Sequence, residues 1–168
     1  MVEFVQQLGF NVYLGSEKDV LDRYYKAALE FRPDTVVRIT GDCPLIDPQI
    51  VEIVLEKYIV EKADYASNTN PPTFPDGLDT EVFSFVALEL AWEKAKQSHE
   101  REHVTPHLRE SGNFRLSSVM HTVDLSKERW TVDEPEDFEV IKNVFQYFSP
   151  RWDFGWEEVL KLRRSHPE

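Results

Sequence analysis

At 168 residues, with 41% hydrophobic, 12% aromatic and 30% charged residues, the chain has the make-up of one folded domain rather than a disordered segment. Its 31 acidic and 19 basic residues give a net charge of −12, which argues against nucleic acid or an anionic membrane as the main partner, because both reward a basic face. No apolar run approaches the ~20 residues that span a bilayer, the first residues do not read as a signal peptide, and the single Cys43 excludes an internal disulfide, so a cytoplasmic protein is expected.

The first residues, Val2 to Leu8, carry a helical pattern, and Asn11–Leu14 reads as a strand that stops at Gly15. Ser16 with Asp19 three residues on resembles a capping box, opening a helix with Val20, Leu21, Tyr24, Ala27, Ala28 and Phe31 inward. Thr35–Thr40 is the next strand. Asp47 caps a helix that starts at Pro48, where the missing N–H costs nothing, and that buries Ile50, Val51, Val54, Leu55, Tyr58 and Ile59. Ala63–Ser67 is a short strand, and Asn68–Gly77, with Pro71, Pro72 and Pro75, is a loop. Further on come a strand near Leu78–Phe83, a helix near Phe85–Gln97 and a helical stretch Glu100–Glu110 broken at Pro106. Strands are expected around Arg115–Val123 and Arg129–Asp133. A helix from Pro135 then turns Phe138, Ile141, Val144 and Phe145 inward, and a surface helix lies within Trp152–Arg164. Alternating strands and helices imply an α/β fold with a mostly parallel sheet.

Two stretches point to chemistry. In Arg38-Ile39-Thr40-Gly41-Asp42, strand parity puts Arg38, Thr40 and Asp42 on one face, with Asp42 at the strand's carboxyl end, where open α/β sheets bind ligands. Gly41 leaves the backbone open to a phosphate or ribose, although a plain turn accounts for Gly41, Asp42 and Pro44 equally well. The pattern repeats in Arg129-Trp130-Thr131-Val132-Asp133, where Asp133 or Glu134 also reads as a helix cap. Carboxylates from two separate strands are a known way to hold Mg²⁺. Asp79 and Glu81 share a strand face and read either as binders of sugar hydroxyls or as solvent-facing acids. His99, His103 and His107 lie four apart, but Pro106 distorts the helix between the last two, which weighs against zinc. Cys43 reads as a small packed residue.

The runs GSEKDVLDRYYKAA, RITGDCPLIDP, FPDGLDTEVFS, EREHVTP and RWTVDEPEDFEVI, in this order from about Phe10 to Phe145, resemble the spore-coat-polysaccharide type of cytidylyltransferase, a group related to the CMP-sialate and CMP-Kdo synthetases. The resemblance implies a Rossmann-like nucleotide-diphospho-sugar transferase fold with a mixed sheet. It implies transfer of CMP from CTP to a sugar or sugar acid for surface polysaccharide, with the acceptor hydroxyl attacking the α-phosphate and pyrophosphate leaving. Asp42 and Asp133 are then the Mg²⁺ ligands and catalytic residues, Arg38, Thr40 and Gly41 meet the nucleotide, and Asp79, Glu81, Glu102, His103 and Arg129 meet the acceptor or its charge. A homodimer built through about Thr73 to Asp124 is expected. So is a division into residues 1–68 (nucleotide side), 69–125 (acceptor and dimer arm) and 126–168 (return strand and last helices). The family's opening strand and its glycine- and arginine-containing phosphate loop have no counterpart here. The first two βα units are therefore expected to be missing, leaving open strand edges and weak or no transfer by this chain alone. Two other readings are a metal-dependent glycosyltransferase, disfavoured by the lack of an Asp-x-Asp pair at the Thr35–Thr40 strand end, and a non-catalytic module that pairs with another chain.

Overall fold

A computed structural model describes residues 1–166. In chain order the elements are α1 (Val2–Gln7), α2 (Val20–Phe31), β1 (Thr35–Arg38), α3 (Pro48–Val60), β2 (Tyr65–Ser67), β3 (Glu81–Ser84), α4 (Phe85–Lys94), α5 (Ser98–His103), α6 (Pro106–Glu110), β4 (Leu116–Ser118), α7 (Pro135–Phe148) and α8 (Trp156–Ser165). The strands form one open, mixed sheet in the order β1-β3-β2-β4, so β3 inserts between two strands that precede it. The α/β expectation holds. β1 is an outer strand, and Val37 within it and Ile39 just past its end are exposed on one face.

Local chemistry sets most boundaries. The Asp19 carboxylate accepts the Asp22 N–H at 3.0 Å and starts α2, which places the helix start later than a Ser16 cap would; Ser16 Oγ instead accepts the Asp19 N–H at 2.9 Å. Arg32 ends α2 in the left-handed region. Ser84 Oγ caps α4 through the Ala87 N–H. The helical stretch interrupted at Pro106 resolves into α5 and α6, with Val104 at φ 72° between them and Pro106 at the first position of the second. Asp47 caps two helices: Oδ1 accepts the Gln49 N–H of α3 at 2.7 Å and Oδ2 accepts the Trp156 N–H of α8 at 2.8 Å.

Some expectations need correction. Asn11–Leu14 has no regular structure, because no described strand offers it a ladder. Residues 129–133 form one isolated parallel bridge, Asp76↔Arg129, rather than a strand. Phe31, Ile59 and Phe138 are exposed although the helical period marks them inward, because no element covers that side of each helix. α8 is not a surface attachment: Trp156, Val159 and Leu160 are buried in the core.

The chain divides into two compact units, Met1–Val36 with Phe83–Leu116, and Val37–Val82 with the chain from Ser117 on. In the first, α2 packs on α4 and α5 around Leu21, Ala28, Leu88 and Ala91. Tyr25 stacks on Trp92 at 4.2 Å, Trp92 Nε1 donates to Asp22, and Arg101 Nη2 meets Asp19 at 2.7 Å. In the second, Leu45, Ile50, Leu78, Trp130, Ile141 and Val159 form the main core, and α3 covers β2 through Val54, Ala66 and Val82. Each such side chain stabilises the fold by about 1.5–3 kcal/mol.

Candidate active site

The site lies in the second unit and is built by backbone bonds to one extended segment. Asp76 N–H donates to the Glu128 carbonyl at 2.9 Å, Trp130 N–H to the Asp76 carbonyl at 2.8 Å, and Val132 N–H to the Asp42 carbonyl at 2.9 Å. Residues 128–132 thus run between the turn that carries Asp42 and the turn that carries Asp76. The fit is tight at Gly77, whose φ is +107° and where an added Cβ would lie 2.9 Å from the Trp130 carbonyl carbon. The bond from Val132 joins the backbone just before Asp133 to the backbone of Asp42.

Asp42 is half-buried. Its carboxyl is held below the usual range first by a hydrogen bond from Thr40, with smaller help from its own backbone, Cys43 and the Arg38 charge. Thr40 Oγ1 also lies 3.0 Å from Cys43 Sγ. Cys43 is buried and free, and burial pushes its thiol up to about 11, which keeps it neutral and agrees with a packing role. Gly41 is exposed, with open space where a Cβ would stand.

Asp79 and Glu81 part company. Glu81 is only 4% exposed, pairs with Arg38, and accepts the Tyr65 hydroxyl at 2.6 Å, so neither the solvent-facing reading nor direct contact with sugar hydroxyls describes it. Arg38, expected at the nucleotide, points its guanidinium at this acid. Asp79 is half-buried and pushed up to about 6, by burial first and then by the negative charges of Asp76, Glu81 and Asp42, with Arg38 opposing. Four carboxylates within electrostatic reach of one another and one arginine make this corner strongly negative.

Asp133 is exposed, and its Oδ2 accepts from Arg129 Nη2 at 2.9 Å and from Thr131 Oγ1 at 3.1 Å, as strand parity implies for these three. Arg129 does not present an open fork to a phosphate or sugar carboxylate. Its two terminal nitrogens grip Asp137 at 3.0 and 2.7 Å, and Asp137 also accepts the N–H groups of Asp133 and Glu134. Those bonds, the Arg129 pair foremost, pull the Asp137 carboxyl down to about 2. Arg129 is therefore a positioning residue for Asp133.

A cavity of about 520 Å³ opens against Gly41, Asp42 and Val132, with Phe138, Phe145 and Trp152 across it. Among the described residues, no group of three or more His, Cys, Asp or Glu side chains is placed to hold a metal ion. Two protein carboxylates are enough for Mg²⁺, which completes its shell with water and phosphate oxygens. They do not fit zinc.

Glu102 and His103 lie on α5 in the first unit with exposed side chains. His107 is half-buried with Nδ1 2.9 Å from Glu100, whose carboxyl is drawn down to about 2 by the Gln97 N–H and then by His107. Sequence reasoning missed Tyr65, Asp76 and Asp137. Asp137 carried a signal, a carboxylate at the third helical position after Glu134, where it satisfies unpaired N–H groups. Tyr65 in Ala63–Ser67 carried none beyond that of a core aromatic.

The model of the family described as Cytidylyltransferase matches residues 1–153. An uncharacterized protein of Methanocaldococcus jannaschii is 40% identical over 151 residues, covering 88% of this chain and 61% of that protein. The spore coat polysaccharide biosynthesis protein SpsF of Bacillus subtilis is 28% identical over 164 residues, covering 95% and 67%. The solved structure of a cytidylyltransferase from Leptospira borgpetersenii superposes with a TM-score of 0.92 at 30% identity, covering 98% of this chain and 70% of that one. The chain thus spans 61% and 67% of the length of these curated relatives. By the extent of that match, the chain belongs to the cytidylyltransferase family.

Proposed function

We propose that the corner between Asp42 and Asp133 serves CMP transfer from CTP to a sugar or sugar acid in surface polysaccharide biosynthesis. The observation that carries this reading is the Val132 N–H bond to the Asp42 carbonyl, which ties the residue before Asp133 to Asp42 at a cavity of about 520 Å³, within the range of small-molecule sites. The SpsF resemblance supports the polysaccharide role, and the family supports CTP as donor.

In this reading Asp42 and Asp133 would hold Mg²⁺, which when bound neutralises phosphate charge and orients the acceptor oxygen. Thr40 favours the ionised form of Asp42, and Arg129 with Thr131 holds the Asp133 carboxylate in place by hydrogen bonds. Gly41 leaves room for nucleotide at the cavity mouth. Arg38, clamped by Glu81, offsets the repulsion among the neighbouring acids. Asp79, partly protonated near pH 6, is suited to hydrogen-bond an acceptor hydroxyl in either direction. Glu102 and His103 remain candidates for the acceptor side, and a homodimer through about Thr73 to Asp124 is part of the proposal.

Calorimetric titration of CTP with and without Mg²⁺, and pyrophosphate release with a panel of sugars and sugar acids, test it. Mg²⁺-dependent CTP binding that falls at least tenfold in Asp42→Asn and in Asp133→Asn supports the reading. Binding that neither substitution alters, or that ignores Mg²⁺, overturns it. Sedimentation of the same samples tests the dimer.

A further inference from the structure

A second cavity, of about 610 Å³, lies on the opposite side of α7 from the first. Phe138, Lys142 and Phe145 face the first cavity, whereas Val140, Val144 and Tyr147 line the second, each set at the three-to-four-residue spacing of one helix face. The floor of the second cavity is apolar, with Trp130 and Val159 6% and 3% exposed. Its rim is cationic: Lys127 and Arg163 are exposed there, and Glu128 is the one acid on its lining. Arg129 also lines it but is engaged by Asp133 and Asp137, so the accessible charge comes from Lys127 and Arg163. Tyr147 and His166 close one side with rings edge to face at 6.3 Å.

The exposed cations on this rim stand out in a chain of net charge −12, and they sit above an apolar floor. A floor of aromatic and aliphatic side chains beneath two long cations matches a ligand with an apolar body and an anionic end. The body leaves water against Trp130 and Val159, and the anion accepts hydrogen bonds from the Lys127 ammonium and the Arg163 guanidinium. A bare inorganic anion lacks the first interaction and a neutral aromatic lacks the second. We propose that this cavity is a second ligand site, separate from the Asp42 corner, and that it takes a small amphipathic phosphate monoester.

Phenyl phosphate is the probe, followed by ¹⁵N NMR of the tryptophan indoles, because Trp130 lines this cavity and Trp152 the other. The expected result is a saturable shift of the Trp130 indole with Trp152 unmoved, at least tenfold weaker binding in the double variant Lys127→Glu with Arg163→Glu, and weaker binding of inorganic phosphate and of phenol alike. Should charge reversal perturb folding, Lys127→Met with Arg163→Met removes the same donors. Binding should persist in Asp42→Asn and in the presence of CTP with Mg²⁺, so its outcome is independent of the proposed transfer activity. No saturable shift at Trp130, an unchanged affinity in both double variants, or a shift confined to Trp152 overturns the proposal.

Discussion

The pattern Arg-x-Thr-x-Asp occurs at Arg38–Asp42 and again at Arg129–Asp133, and the two copies are wired differently. In the second, the pattern closes on itself: Arg129 and Thr131 both bind Asp133, in the open, and Asp137 from the following helix completes the clamp. In the first, Thr40 holds Asp42 but Arg38 turns away to the buried Glu81, whose other oxygen is held by Tyr65. The same short motif thus yields an exposed, locally held acid in one place and an acid set beside a buried ion pair in the other. What differs is the company: Glu81 arrives from β3, the neighbour of β1, and Tyr65 from β2, one strand further into the sheet, whereas the second copy is not part of a strand.

The largest effect should come from breaking the buried half of this contrast. Arg38→Met removes the cation paired with the buried Glu81 carboxylate and should lower stability by about 3–5 kcal/mol in urea titration. Arg129→Met should shift the midpoint far less, because its pair is exposed. Equal losses in the two variants would erase the distinction between the copies. Next, Gly77→Ala places a side chain at φ +107° and against the Trp130 carbonyl, and should cost about 1–3 kcal/mol, whereas Gly41→Ala, with open space at its Cβ, should be nearly silent. A silent Gly77→Ala would mean that the Asp76–Trp130 junction does not hold the second copy in place.

A smaller effect is expected from Asp79. Its carboxyl is raised from 3.8 to about 6 in the folded protein, so between those values the native state binds more proton than the unfolded one. The stability present below pH 3.8 is therefore lost as pH rises to about 6. Asp79→Asn should raise the melting temperature relative to the parent above pH 6 and leave it unchanged below pH 3.8; a constant difference across that window would refute the raised acid. The smallest effect is expected at Thr40→Val, which removes the leading cause of Asp42's depression. Carboxyl ¹³C titration should then find Asp42 closer to its ordinary value, and an unchanged Asp42 would remove Thr40 as the cause.

Much of the local structure could be read from side-chain chemistry acting within a few residues. The Asp47–Pro48 start of α3, the break at Pro106 and the Pro135 start of α7 depend on donors and acceptors close in sequence, and each appears where those residues stand. Asn11–Leu14 and Arg129–Asp133 were read as strands from alternation alone, yet a strand exists only where a neighbour supplies its hydrogen bonds. The candidate site divides in the same way. Strand parity pointed to Thr40 with Asp42 and to Thr131 with Asp133, because a period of two is a property of the chain itself.

The amino-acid order by itself determined where several helices are capped and which family motifs are present and in what sequence. Only the tertiary structure decided that Glu81 is buried against Arg38 and Tyr65, that the Asp79 carboxyl is raised to about 6, and that Arg129 is engaged by Asp137. Each of these depends on distance through space between groups far apart along the chain. Charge interaction and loss of water are set by that distance and by what fills the gap, neither of which any local run of residues encodes.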